Sequence, residues 1–211
     1  MFRAEFCIIL DRIADADAHL RASISIAEQY SLAGYLAADN IMQGWVRSMT
    51  GDGEDGVRQA ETALEALKAI PSRRFHFPIR TAIVGRAKAA AGDIEGALAL
   101  YEAALRACVD MGERWYEPEL LRLKAEMLIA QPDPGLREAE ECLASAIALA
   151  QQQDARLWEL RSATSLARLW GTLGRRADAL GVITPIHDWF TEGLDMLDLI
   201  RARTLMAELS A

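Results

Sequence analysis

Apolar residues recur at three- and four-residue intervals along almost the whole chain, and nowhere do they settle into the two-residue alternation of a strand. Phe2, Phe6, Ile9, Leu10 and Ile13 open the series, and their spacing predicts one long helix over 3–29. A second helix covers 32–50 and ends at Gly51-Asp52-Gly53, and a third covers 54–70 and stops at Pro71. The clearest pair is 75–91 and 93–111, hinged at Gly92-Asp93, with Asp93 suited to an N-cap. The helix over 113–131 carries Pro118 near its start, where a missing N–H costs little, and ends before Pro132 and Pro134. Segments 135–153, 155–173 and 175–192 follow, with Pro185 expected to kink or break the last. A final helix over 195–209 sets Leu197, Ile200, Leu205 and Leu209 mostly on one side.

A second pattern runs through the first. Gly44, Gly85, Ala125 and Ala167 each sit in the first helix of a pair, where a small residue lets two helices cross closely. Gly56, Ala97, Ala139 and Ala179 begin a small–x–x–x–bulky–x–x–small step in the second helix. Their spacings of 41, 42 and 40 residues mark a solenoid of helix pairs. Large residues such as Tyr101 and Trp170 are expected to fill the space beside the small ones. The expected fold is all-α, a right-handed superhelical solenoid of about ten helices forming a single domain over 1–211. Its pairs are 32–70, 75–111, 114–153 and 155–192, flanked by helices 3–29 and 195–209.

Gly85 through Leu105 resembles a tetratricopeptide repeat, with Gly at the crossing, Gly at the turn, then Ala, an aromatic residue and Ala-Leu. The period is longer than the usual ~34 residues of that repeat. The stretches GERWYEPELLRLKAEMLIAQ (112–131), ELRSATSLARLW (159–170) and WFTEGLDMLDLIRARTLMAEL (189–209) resemble the C-terminal repeat region of bacterial predicted ATPases. Those proteins often carry an adenylate cyclase or DNA-binding domain and share their layout with regulators of the maltose-activator type. The resemblance implies a sensor or interaction module without catalysis. The chain has no G-x-x-x-x-G-K-[ST] loop, cyclase domain or helix-turn-helix, so it is expected to be a separately expressed fragment or a truncated member.

Charge and composition narrow the field. The 211 residues carry 23 basic and 31 acidic side chains, a net −8, which argues against a nucleic-acid surface. No stretch approaches the ~18 apolar residues of a membrane span, and MFRAEFCIILDR does not read as a signal peptide. Cys7, Cys108 and Cys142 are widely spaced on apolar stripes, as in a reducing, cytoplasmic setting.

Catalytic motifs fail on context. Gly51 to Gly56 spells G-x-G-x-x-G, but a helix precedes it and Asp52, Glu54 and Asp55 would repel a phosphate. His19, His76 and His187 belong to no metal-ligand spacing, and no G-x-S-x-G elbow is present. The expectation is a chain without catalysis, cofactor or metal; an enzyme would need a site convergent over long range.

Binding residues follow from the register. In such repeats the first helix of each pair lines the concave surface. The residue after each crossing position is Trp45, Arg86, Glu126 or Arg168. Positions three and six earlier add Arg122 and Glu119, then Thr164 and Arg161. An arginine-lined groove suits a protein or peptide segment, or a small acidic ligand, because the guanidinium fork grips carboxylates and phosphates in pairs. The competing expectation is that these arginines pair with Glu119, Glu126 and Glu159 and only hold the repeats together. Phe2, Phe6, Ile9 and Ile13 form an apolar stripe that marks an interface, covered by a second copy or by an upstream segment. Expected functions are therefore a groove-binding regulatory module or a dimerisation module.

Overall fold

A computed structural model describes residues 1–70 and 76–211. Among the described residues lie eleven α-helices and no strand. They are α1 (Phe2–Ile9), α2 (Ile13–Gln29), α3 (Ala33–Met49), α4 (Gly53–Lys68), α5 (Phe77–Ala90), α6 (Ile94–Met111), α7 (Glu117–Ala130), α8 (Leu136–Gln152), α9 (Arg156–Thr172), α10 (Arg176–His187) and α11 (Leu197–Ser210). The chain divides into two compact units, Met1–Glu113 holding α1 to α6 and Arg114–Ala211 holding α7 to α11. No helix among the described residues is long and apolar enough to cross a membrane.

The same packing rule builds both units. In the first, every helix packs on its successor, while α1 also touches α3 and α3 touches α5. In the second, successive helices again pack together, while α7 touches α9 and α9 touches α11. Within each unit the odd-numbered helices thus form one layer, with the even-numbered helices packed against it. This is how amphipathic pairs, each too small to bury both faces, complete one another by stacking.

The small residues sit where the helices cross. A Cβ added at Gly44 would lie 2.5 Å from the Gly56 carbonyl oxygen, and one at Gly56 would lie 2.5 Å from that of Gly44. A Cβ at Gly85 would meet the Tyr101 ring at 2.6 Å, so Tyr101 fills the space as its spacing predicts. Gly56, Ala97, Ala139 and Ala179 are all buried. At the hinge, Gly92 takes φ +86°, a conformation that glycine adopts without a Cβ penalty. Asp93 then accepts a 2.8 Å hydrogen bond from the Gly96 N–H and caps α6.

Three element boundaries differ from expectation. The helix expected over 3–29 is two helices, because Asp11 adopts φ +55° and the Arg12 N–H turns back to the Cys7 carbonyl. Asp is among the few side chains that tolerate this conformation, so no Gly or Pro marks the break. Pro185 lies inside α10, but the helix runs only to His187 and not to 192. Proline removes one N–H and crowds the preceding turn, so the helix ends soon after it. Helix α7 begins at Glu117, with Pro118 in its first turn as the sequence implies. The stop at Pro71 and the helix start at residue 75 lie outside the described residues.

Candidate binding surface

In the first unit the odd layer brings Trp45 and Arg86 together. Trp45 on α3 is 1% exposed, and the Arg86 guanidinium from α5 lies 4.6 Å above its ring centre. Arg86 donates to Asp11 Oδ1 at 2.6 Å and to the Ile8 carbonyl at 3.1 Å. Arg86 is therefore engaged by the chain's own first segment, and Trp45 by Arg86. Helix α1 buries Ala4, Glu5, Ile8 and Ile9, an i, i+4 pattern that faces its neighbours. Glu5 shares a hydrogen bond with His76 Nδ1 and lies 3.9 Å from Arg80 Nε.

The predicted apolar stripe divides for the same reason. Phe2 and Phe6, one turn apart, are 54% and 65% exposed, whereas Ile9 is buried and Ile13 half-buried. The break at Asp11 ends the single helical face on which the four residues were placed.

In the second unit the odd layer carries a buried charge network. Arg122 on α7 grips Glu119 with two bonds, Nε to Oε2 at 2.8 Å and Nη2 to Oε1 at 2.7 Å, and also bonds Glu126. Arg161 on α9 grips Asp198 on α11 at 2.9 and 2.8 Å and reaches Glu119 at 3.4 Å. Ser165 on α9 donates to Glu126 at 3.2 Å. Three successive odd helices are thus joined by paired charges. Burial pulls the Arg122 guanidinium down, but the Glu119 and Glu126 carboxylates outweigh it and hold it well above the ordinary arginine value. Arg161 is raised in the same way: burial opposes, and Glu119 and Asp198 prevail.

Of the other groove candidates, Thr164 donates to the Leu160 carbonyl within its helix. Arg168 is exposed, and it falls seven residues after Arg161 on the same face of α9. Trp170 is half-buried; its Nε1–H donates to Glu140 at 2.8 Å, and Arg175 both binds Glu140 and covers the ring. Hydrogen bonds from Arg175 and Trp170 hold the Glu140 carboxyl below its usual range. Among the described residues no group of three His, Cys, Asp or Glu could hold a metal ion.

Several site residues carry no sequence signal. Asp11 meets Arg86, and Glu5 meets His76 and Arg80, across some seventy positions. A groove of about 730 Å³ between α3 and α4 is equally silent in sequence. Its floor includes Ala33, Ala37, Ala63 and Ala66, and a hydrogen-bonded series of Arg47, Gln59 and Asn40 lines it.

No protein-family model matches the chain, and no curated protein sequence does. Solved structures do. Two crystal structures of nearly identical TPR-like repeats, a variant and its parent, come from a kinesin-light-chain-like protein of Podosopora anserina. The first is similar with a TM-score of 0.59 at 17% identity, covering 98% of this chain and 92% of that one. The second has a TM-score of 0.58 at 18% identity, covering 97% and 92%. The fold is accordingly an all-α solenoid of tetratricopeptide-like helix pairs.

Proposed function

We propose that this chain is a non-catalytic protein-binding module of a regulatory system, holding an acidic partner segment along the odd-helix face of its second unit. The observation that supports this most is the seam of Arg122, Glu119, Arg161 and Asp198. It ties α7, α9 and α11 together beneath the face before any partner arrives, and preorganisation of that kind lowers the ordering cost of association. Arg122 and Arg161 are occupied within the seam, so they position the face and do not grip a ligand. Arg168, exposed at the end of the same face, is the cation offered to a carboxylate. The resemblance to ATPase-linked regulators supports the regulatory setting. The non-catalytic reading is supported by the charged groups of this face being tied in ion pairs, where they cannot serve as free acid or base.

The test is capture of a partner protein by the native chain and by Arg168→Glu, with helicity and solution mass measured for both. Arg168 is the clean probe, because removing one partner of a buried pair such as Arg161–Asp198 costs about 3–5 kcal/mol and confounds binding with folding. A partner lost on reversal and regained with Arg168→Lys supports the reading. Equal capture by native and Arg168→Glu sinks it. A second reading, self-association through α1, is favoured by the exposure of Phe2 and Phe6. It takes precedence if the native chain has a dimeric mass that Phe6→Ser reduces to a monomer.

A further inference from the structure

Helix α1 is not stacked like the other odd helices. In the odd layer α5 comes two places after it, yet the α1 segment bonds to α5 directly. Glu5 pairs with His76 at the start of α5 and lies 3.9 Å from Arg80. Asp11 and the Ile8 carbonyl accept from the Arg86 guanidinium at 2.6 and 3.1 Å. Glu5 and Asp11 are six residues apart, and so are Arg80 and Arg86. The segment therefore runs beside α5 in the same direction, with an acid against a cation at two points. It also touches α3, whose Trp45 ring lies under Arg86. Helix α1 is thus seated on α3 and α5 as a ligand is seated: Ala4, Ile8 and Ile9 are buried, and Glu5 and Asp11 supply the charge.

The seat is built for release. Helix α1 has eight residues, against 12 to 18 in the other helices, and a helix that short has little stability of its own. Its link to α2 turns at Asp11, held at φ +55°, where side chains are rarely found. Glu5 is buried with Oε2 making no hydrogen bond, a cost that only the seated state carries. Arg80 and Arg86 are charged, so water solvates them once α1 leaves. Helices α2 to α6 pack on one another in sequence without it.

Charge and spacing define what else fits. Two acids of the unit already face these cations: Asp39 near Arg80, and Glu113 at the His76 N–H. The seat takes Glu5 and Asp11 in addition to them. We propose that the α3 and α5 surface docks an acidic amphipathic helix of a partner protein, and that α1 is the resident segment this partner displaces. The partner carries an acid, an apolar pair three and four residues on, and a second acid six residues on, as do Glu5, Ile8, Ile9 and Asp11. This rests on the reading of the chain as a protein-binding module, but it places the contact in the first unit and does not use Arg168.

The probe is a fluorescent synthetic peptide of residues 2–12 with Ser in place of Cys7, titrated onto the full chain. A twin carries Lys in place of both acids. The release variant is Ile8→Ser with Asp11→Ser, which removes a buried contact of α1 and its Arg86 partner; a second form adds Arg86→Gln. Circular dichroism and melting check each fold. A site occupied by its own segment shows reduced apparent affinity for a competitor. We expect the peptide to bind the release variant at least tenfold more tightly than the native chain. Arg86→Gln, or the Lys twin, should lose at least tenfold. The twin's positive charge favours it on an acidic chain, so weaker binding reports the seat and not general attraction. Binding to the release variant within twofold of native, or equal binding of the twin, overturns the proposal. So does a release variant that loses helicity beyond α1, which makes α1 part of the core. A native dimer that the release variant turns into a monomer also overturns it, because a second copy's α1 is then the occupant. Hydrogen exchange of the native chain needs no variant: α1 amides should be at least tenfold less protected than those of α3, and equal protection overturns release. The two sites fail separately. A peptide gain that survives Arg168→Glu supports this seat whatever becomes of the second unit's face, and equal capture of a partner by native and Arg168→Glu sinks only that face.

Discussion

Asp39 shows how a single residue sets a condition on stability. It is fully buried on α3, accepting a 2.5 Å hydrogen bond from the Ser23 hydroxyl through Oδ2, while Oδ1 has no hydrogen-bond partner. Burial raises its carboxyl above the usual 3.8; the Ser23 bond and nearby cations offset only part of this. A raised acid destabilises the folded state at neutral pH, where the native chain holds a buried charge and the unfolded chain a solvated one. As pH falls through the folded value the native state takes up a proton first, and below 3.8 both states are protonated and the penalty is gone. Asp39→Asn keeps an acceptor for Ser23 without the charge. It should raise stability at pH 7 by on the order of 1 kcal/mol, the scale of one relieved buried polar group. The gain should shrink to nothing below 3.8 when melting is followed against pH. A loss of stability at pH 7 would show that the carboxylate is required by the cations near it.

Between elements, close crossings decide the packing. The α3–α4 crossing has glycine on both sides, and a Cβ at Gly44 would meet backbone on α4 at 2.5 and 2.7 Å. Backbone cannot swing away as a side chain can, so Gly44→Leu should cost at least the ~1–3 kcal/mol of an overpacked core. Gly181 on α10 is the matched control: helical, with nothing near its missing Cβ. Gly181→Ala should stabilise by about 0.5–1 kcal/mol, the gain of alanine over glycine in a helix. Denaturant titration of both variants checks the pair, and equal responses would mean that helix propensity alone is being measured. These crossings were legible in sequence, because a close approach demands a small residue at a fixed period. The break at Asp11 was not, since it depends on a tolerated left-handed aspartate and not on an obligatory glycine. The pairing of the expected groove residues was not legible in sequence. The register set Arg122, Arg161 and Glu119 along one concave groove, whereas charge pairing over forty residues has no local signature.

At the scale of the whole molecule, packing rules of this kind imply graded and not uniform stability. Each helix packs on its neighbours in sequence, and each odd-numbered helix also touches the next odd one within its unit. Stability in such arrays is approximately a sum of local terms and neighbour interfaces, so a lesion weakens its surroundings first. The two compact units, Met1–Glu113 and Arg114–Ala211, each hold their own buried set, with Ile41, Ile83 and Leu67 in the first and Leu160, Ile183 and Leu199 in the second. Hydrogen exchange of the Gly44→Leu variant reads this directly. Amides of α3, α4 and α5 should lose protection by at least tenfold, while those of α9 and α11, tied by Arg161 and Asp198, should exchange at the native rate. A uniform loss of protection along the chain would mean that the array unfolds as one cooperative body. In that case the same variant would weaken α11 as strongly as α4. Under graded stability, a lesion in the first unit leaves the second unchanged, because neighbour interfaces carry its effect only as far as the helices they join.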